Sequence, residues 1–172
     1  MRNFYDQLFC KSLLFLQKKK ETHMKKFISR MLLGEVVQKV EVDAPFDAVL
    51  TSLEKAVKDN QFGIQTIHDL KSTYAKKHLR LDDGFEYKIV QICNAPKSHK
   101  ALTDMSYDMG VMMPKSIIVA RENKKTTLRY MKMKPWMVSM MFPELEVAAL
   151  SKHVTATMEK IVNDTIAGIK KG

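Results

Sequence analysis

The sequence contains few of the residues that form disulfide scaffolds, phosphate loops or metal sites. Its 172 residues include two cysteines, six glycines and one tryptophan. Cys10 and Cys93 lie far apart, unlike the closely spaced cysteines of a disulfide scaffold. So few glycines leave little room for a dinucleotide-binding loop. We therefore predict a cytoplasmic protein that is held together by an apolar core.

Sequence motifs of catalysis are also missing. There are no paired carboxylates, no glycine-rich phosphate loop and no Gly-x-Ser-x-Gly nucleophile elbow. The five histidines show no ligand spacing, so we predict no zinc site. These absences favour a non-catalytic protein over an enzyme.

Basic residues are in excess, but they are unevenly distributed. The net charge is +10, and residues 1 to 30 contribute +6 of it through eight basic and two acidic side chains. The remaining chain has a modest charge and no aromatic and basic RNA-binding motif. We therefore do not expect nucleic-acid binding.

Residues 1–35 form a basic, partly apolar leader. Its apolar patch, residues 4–16, is shorter than a membrane span of about 20 residues. The basic run Lys18–Lys20 follows the patch, whereas in a secretory signal the charges come first. Residues 4–26 could be a peripheral membrane anchor, or the leader could be a tail with little structure, with Met24 as an alternative start. We favour the tail, and place the folded domain at residues 36–172.

Hydrophobic periodicity predicts an α+β fold for that domain. Apolar residues alternate in some segments and recur every three or four residues in others. The predicted strands are 36–42, 62–67, 85–93, 116–120 and 126–131, and the predicted helices are 43–60, 70–79, 96–109, 133–142 and 144–170. We expect a single mixed or antiparallel sheet of about five strands with helices mainly on one face, in the order β-α-β-α-β-α-β-β-α-α.

The centre of the chain resembles the domain of unknown function 302 family. Its Cys93-Asn94, Ala101-Leu102, Met113-Pro114 and Ile117–Glu122 segments are similar to the family's Cys-Asn, Ala-x-x-Leu, hydrophobic-Pro-Cys and Val-x-Val-x-Glu elements. The resemblance covers about residues 36–165. It implies an α+β fold and a homodimer, but no established activity.

The chain departs from this family pattern at Lys115. The family commonly has a cysteine after the proline, where this chain has Lys115. A mechanism that needs a pair of cysteines, as a reversible disulfide or a two-thiolate metal site, therefore loses one of them.

Cys93 and Asn94 follow a predicted strand and precede a predicted helix. A helix N-terminus can stabilise a thiolate, and His99 is a candidate base, so a thiol-dependent redox or sulfur-transfer protein is one alternative. The other interpretation is a packed, unreactive cysteine with Asn94 capping the helix. We favour the second interpretation.

Methionine is abundant: nine of the 13 methionines lie between Met105 and Met141. Thioethers are soft ligands, so copper or haem binding is a second alternative, although no cofactor is expected. Methionine also suits adaptable apolar surfaces. We therefore predict a homodimeric binding module with a Met-rich pocket or interface for a small apolar or anionic ligand. The predicted ligand-binding residues are Cys93, Asn94, His99, Met112, Met113, Lys115 and Trp136.

Overall fold

A computed structural model describes Met24, Lys25 and residues 36–170 of the chain. The predictions for the leader therefore lie almost entirely outside the described residues. Within that described part, no helix is both long enough and apolar enough to cross a membrane.

One antiparallel sheet organises the domain. Its strands lie in the order β1-β5-β4-β3-β2, and every neighbouring pair is antiparallel. The strands are β1 (Val37–Val42), β2 (Gly63–Asp69), β3 (Tyr87–Cys93), β4 (Lys115–Glu122) and β5 (Lys125–Met131). The predicted fold class and element order are confirmed, and the sheet is antiparallel rather than mixed.

The turn between β4 and β5 shows why these strands pair where they do. Asn123 and Lys124 have φ angles of 51° and 66°. A two-residue hairpin turn with both φ angles positive matches the right-handed twist of the flanking strands, and asparagine tolerates this conformation well. Glu122 and Lys125 consequently pair directly across the turn.

Two long helices cover one face of the sheet: α1 (Phe46–Asp59) and, at the end of the chain, α5 (Ala148–Ile169). Their apolar stripes meet alternate strand residues, as the predicted periodicity requires. The fully buried side chains of this core are Val49, Leu53, Val57, Val90, Ile92, Ile117, Val119, Leu128 and Ile161.

Polar contacts join the same two helices beside the core. Ser52 Oγ donates a hydrogen bond to the Thr165 carbonyl at 2.8 Å. Asn60 Nδ2 donates to Asp164 Oδ2 at 2.7 Å. Lys160 and Asn60 together lower the pKa of Asp164, because both stabilise its carboxylate.

The short helix α2 (Leu70–Lys76) follows β2 directly. Asp69 is its N-cap, and Asp69 Oδ1 accepts a hydrogen bond from the Ser72 amide at 2.9 Å.

The connection from β3 to β4 differs from the single helix predicted at 96–109. It begins as α3 (Ala95–Lys100), continues as one π-helical segment (Ala101–Met105) and ends as a 3-10 segment (Tyr107–Met112). Ser106 interrupts the helix with an extended backbone, and its hydroxyl accepts a hydrogen bond from the Asp108 amide. A serine that caps the next segment competes with helix continuation, which explains the break.

Helix α4 (Pro135–Met141) starts with proline in its first turn, where the missing N–H is not needed. Together with the β3–β4 connection and the start of α5, it builds a second small core. The buried members of this core are Ala101, Met109, Val138 and Val147.

Candidate functional site

A cavity of about 520 Å³ lies at one end of the sheet, between the two cores. The end of β3, the start of β4 and the end of β5 form one side of it through Cys93, Lys115 and Met131. These three positions meet because adjacent strands run in opposite directions. The β3–β4 connection, α4 and α5 supply the other walls.

Most of the cavity wall is apolar. Helix α5 and the residue that precedes it contribute a stripe at helical spacing: Val147, Leu150, Val154 and Met158. Seven of the described methionines line the cavity, and they come from four different parts of the chain: Met109, Met112, Met113, Met131, Met133, Met141 and Met158. Unbranched, polarizable side chains of this kind can adapt to ligands of different shape.

Some of the lining side chains are also open to solvent. Val111 is 76% exposed, Met131 59% and Met141 50%. An apolar ligand approaching the cavity would therefore meet apolar side chains before it is buried.

Lys115 is the most unusual polar residue of the wall. It pairs in register with Ile92, a fully buried core residue. Directly opposed residues of an antiparallel pair point to the same face, so Lys115 points toward the helices. Its side-chain amine has no hydrogen bond or ion pair with any residue that the structure describes. Burial lowers the pKa of Lys115, because the ammonium loses water without gaining an anion.

Asn94 is 8% exposed and caps α3. Asn94 Oδ1 accepts a hydrogen bond from the Lys97 amide at 3.0 Å, and Asn94 Nδ2 donates to the Gln61 carbonyl at 2.8 Å. This is the helix cap expected from the sequence for Asn94 in the interpretation with a packed, unreactive Cys93. Asn94 borders the cavity while it holds the β3–α3 junction to the end of α1.

A second lysine, Lys97, reaches the cavity from α3. It is exposed, and its Nζ contacts Nε2 of His153 on α5. Among the described residues, no aspartate or glutamate lines the cavity. Its ionisable groups are therefore two lysines and the Cys93 thiol.

The structure brings five of the seven predicted ligand-binding residues to this cavity: Cys93, Asn94, Met112, Met113 and Lys115. Cys93 is half-buried and has a free thiol. His99 and Trp136 are exposed and do not line the cavity. Whether any of the seven binds a ligand remains a prediction.

Sequence reasoning missed Lys97, Ser151 and Thr155. Ser151 and Thr155 are one helical turn apart and lie beside the apolar stripe of α5, so the spacing of that stripe could have predicted that they line the same cavity. Lys97 had no distinguishing signal, because one lysine in a basic chain is uninformative. Across the described residues, no group of three or more His, Cys, Asp or Glu side chains is arranged to hold a metal ion.

The family model described as "Domain of unknown function DUF302" matches residues 38–165. The chain belongs to this family. The match covers β2 to β5, all of β1 except Val37, and most of α5, so every residue that lines the cavity lies inside it. The resemblance inferred from the Cys93 to Pro114 region is confirmed.

A crystal structure of an uncharacterised conserved DUF302 protein from Bacillus stearothermophilus has a similar fold. The TM-score is 0.65 at 18% sequence identity, over 76% of this chain and 98% of that chain. At this identity the similarity supports the DUF302 fold and nothing finer. A comparison with curated proteins found no match.

Proposed function

We propose that the protein is a binding module that takes a small apolar or amphipathic ligand into its methionine-lined cavity. The observation that carries this proposal is the cavity itself: about 520 Å³, walled mainly by apolar side chains. Small-molecule sites typically have volumes of about 300–1,000 Å³ and a few polar groups among apolar ones. Lys115 and Asn94 are such polar groups here.

A neutral fluorescent probe tests the proposal without involving charge. 1-Aminoanthracene should bind saturably, with rising and blue-shifted fluorescence. Ser151→Trp should weaken its binding about tenfold or more, because the indole would fill space beside the wall position of Ser151. Lys152→Trp is the matched control, since Lys152 is the next residue of α5, is exposed and does not line the cavity.

Two results would contradict the binding proposal. One is the absence of saturable probe binding by the folded wild-type protein. The other is equal probe affinity of the wild type and a folded Ser151→Trp variant. If Ser151→Trp does not fold, Met112→Trp replaces it, because Met112 is a half-buried wall residue.

Soft-metal binding is the second candidate function, and the convergence of seven methionines with Cys93 supports it. It predicts that protein purified without chelators retains copper, or takes up Cu(I) with an affinity that Met112→Leu and Met113→Leu reduce. Haem binding would instead give a visible absorption band. Protein that shows neither would contradict this candidate.

The thiol alternative depends on the reactivity of Cys93. In a Cys10→Ser variant, a thiol role predicts rapid alkylation of Cys93 at neutral pH, with a pH dependence shifted from that of a free thiol. Slow alkylation would contradict it. Homodimer formation and a cytoplasmic location also remain predictions, and sedimentation equilibrium would test the first.

A further inference from the structure

We infer that the ligand is an apolar chain bearing one negative charge, and that the Lys115 ammonium binds this charge. The inference rests on the proposed function, because it names the class of ligand that the same cavity takes. Long-chain carboxylates are the simplest members of this class.

The position of Lys115 is the first part of the argument. Its register partner Ile92 is completely buried, so Lys115 points into the helix-covered side of the sheet rather than to open solvent. Its neighbours on the wall include Met113 and Ser116. A protonated lysine in such surroundings has lost part of its hydration, which costs free energy unless a nearby anion offsets the loss.

The distribution of charge around the cavity is the second part. Lys115 and Lys97 line it, and no carboxylate from the described part of the chain does. Throughout the described part of the chain, the Lys115 amine has neither an ion-pair nor a hydrogen-bond partner, whereas Lys97 is exposed and its amine contacts His153. Lys115 is therefore the cation that a bound anion would complement.

The chemistry of the rest of the wall is the third part. One ammonium surrounded by methionine, valine and leucine side chains matches a ligand with one anionic group and a long apolar part. A compact anion without an apolar chain would leave most of this wall unused. A multiply charged anion would have to give up more water than one lysine can replace.

Burial lowers the pKa of Lys115, which agrees with an ammonium that has lost hydration and has no protein anion beside it. A bound carboxylate would favour the protonated amine and form a charge-assisted hydrogen bond with it. The same loss of water that disfavours the ammonium in the free protein would strengthen its attraction to an anion.

A comparison of dodecanoate with dodecanol separates the contribution of the negative charge to the affinity from that of the apolar chain, because the two compounds share one chain and differ in the head group. We expect the delipidated protein to bind dodecanoate roughly tenfold to hundredfold more tightly than dodecanol, the effect of one hydrogen bond to a charged group. Both affinities are measured by displacement of 1-aminoanthracene, below the concentration at which dodecanoate forms micelles.

Three variants then test whether Lys115 is the residue that binds the negative charge of the ligand. Lys115→Met should abolish the preference by weakening dodecanoate binding, with dodecanol affinity changed less than about twofold, since methionine keeps an unbranched side chain of similar volume. Lys115→Arg should retain most of the preference. Lys97→Met, the matched removal of the other wall lysine, should also retain it.

The outcomes distinguish the inference from the proposed function. Equal binding of dodecanoate and dodecanol by the wild type would overturn the inference and leave apolar binding supported. Loss of the preference in Lys97→Met rather than Lys115→Met would also overturn it. Failure of both compounds and of the neutral probe to bind would overturn the proposed function, and the inference with it.

Discussion

Replacing Asn94 by alanine should destabilise the domain, because this one side chain makes two hydrogen bonds at a buried junction. Its Oδ1 caps α3 through the Lys97 amide, and its Nδ2 binds the Gln61 carbonyl. Loss of an N-cap costs about 1 kcal/mol. Loss of one further buried hydrogen bond costs about 1 kcal/mol as well.

The expected decrease in the free energy of unfolding is therefore about 2 kcal/mol. For a chain of this length, each kcal/mol shifts the thermal midpoint by about 2–4 °C. Asn94→Ala should thus lower the midpoint by roughly 4–8 °C. Circular dichroism during heating, together with urea unfolding, measures both quantities.

Asp69→Ala is the matched control for Asn94→Ala. Asp69 also caps a short helix, but its cap contact is exposed. Its removal should cost about 1 kcal/mol or less. A thermal midpoint of Asn94→Ala within about 1 °C of the wild type would refute the reasoning. Equal decreases in the free energy of unfolding for Asn94→Ala and Asp69→Ala would also refute it, because the hydrogen bond to Gln61 would then contribute nothing.

Two further predictions concern Lys115 and the packing of α1 against α5. Burial lowers the pKa of Lys115 from its usual 10.5, so the unfolded chain binds a proton at this amine more tightly than the folded protein does. The free energy of unfolding should therefore rise with pH between the folded-state pKa of Lys115 and 10.5. Lys115→Met should flatten that rise and stabilise the protein at neutral pH, because it removes a partly buried charge that has no partner among the described residues. An unchanged pH profile of the free energy of unfolding in urea would contradict this. An alanine Cβ at Gly168 would lie 2.6 Å from Ser52 Oγ and would displace the Ser52 hydroxyl from the Thr165 carbonyl. The lost hydrogen bond costs about 1 kcal/mol, and the higher helix propensity of alanine contributes a similar gain. Gly168→Ala should therefore leave the free energy of unfolding of the wild type almost unchanged. In a Ser52→Ala background the same change should stabilise by about 1 kcal/mol, and equal effects in both backgrounds would contradict the proposed contact.

Local sequence signals were reliable where one physical cause dominated. In β1, Val40 and Val42 share the face opposite to Lys39 and Glu41, and α5 carries an apolar stripe at helical spacing, so each element has one favourable way to bury that face. The cap at Asp69 depends only on a hydrogen bond to an amide three residues away. Such patterns are readable because the interacting groups are close in sequence.

Sequence reasoning was less accurate in the segment between β3 and β4. Apolar residues at 101, 102 and 105 suggested one helix, but Ser106 divides it. Two turns of irregular helix were not predictable, because their stability comes from packing of Ala101 and Met109 against Val138 and Val147, which are distant in sequence. Tertiary contacts of this kind override local propensity.

The sequence by itself determined the fold class, the order of the elements and the family, because periodicity, caps and short motifs are local properties of the chain. The tertiary structure decided which of the candidate residues share one cavity. His99 and Trp136 were as plausible from sequence as Met112, but His99 lies on the exposed side of α3 and Trp136 on the exposed side of α4, outside the cavity. The unpaired state of Lys115 among the described residues is likewise a tertiary property, since it depends on which side chains other elements bring near its amine.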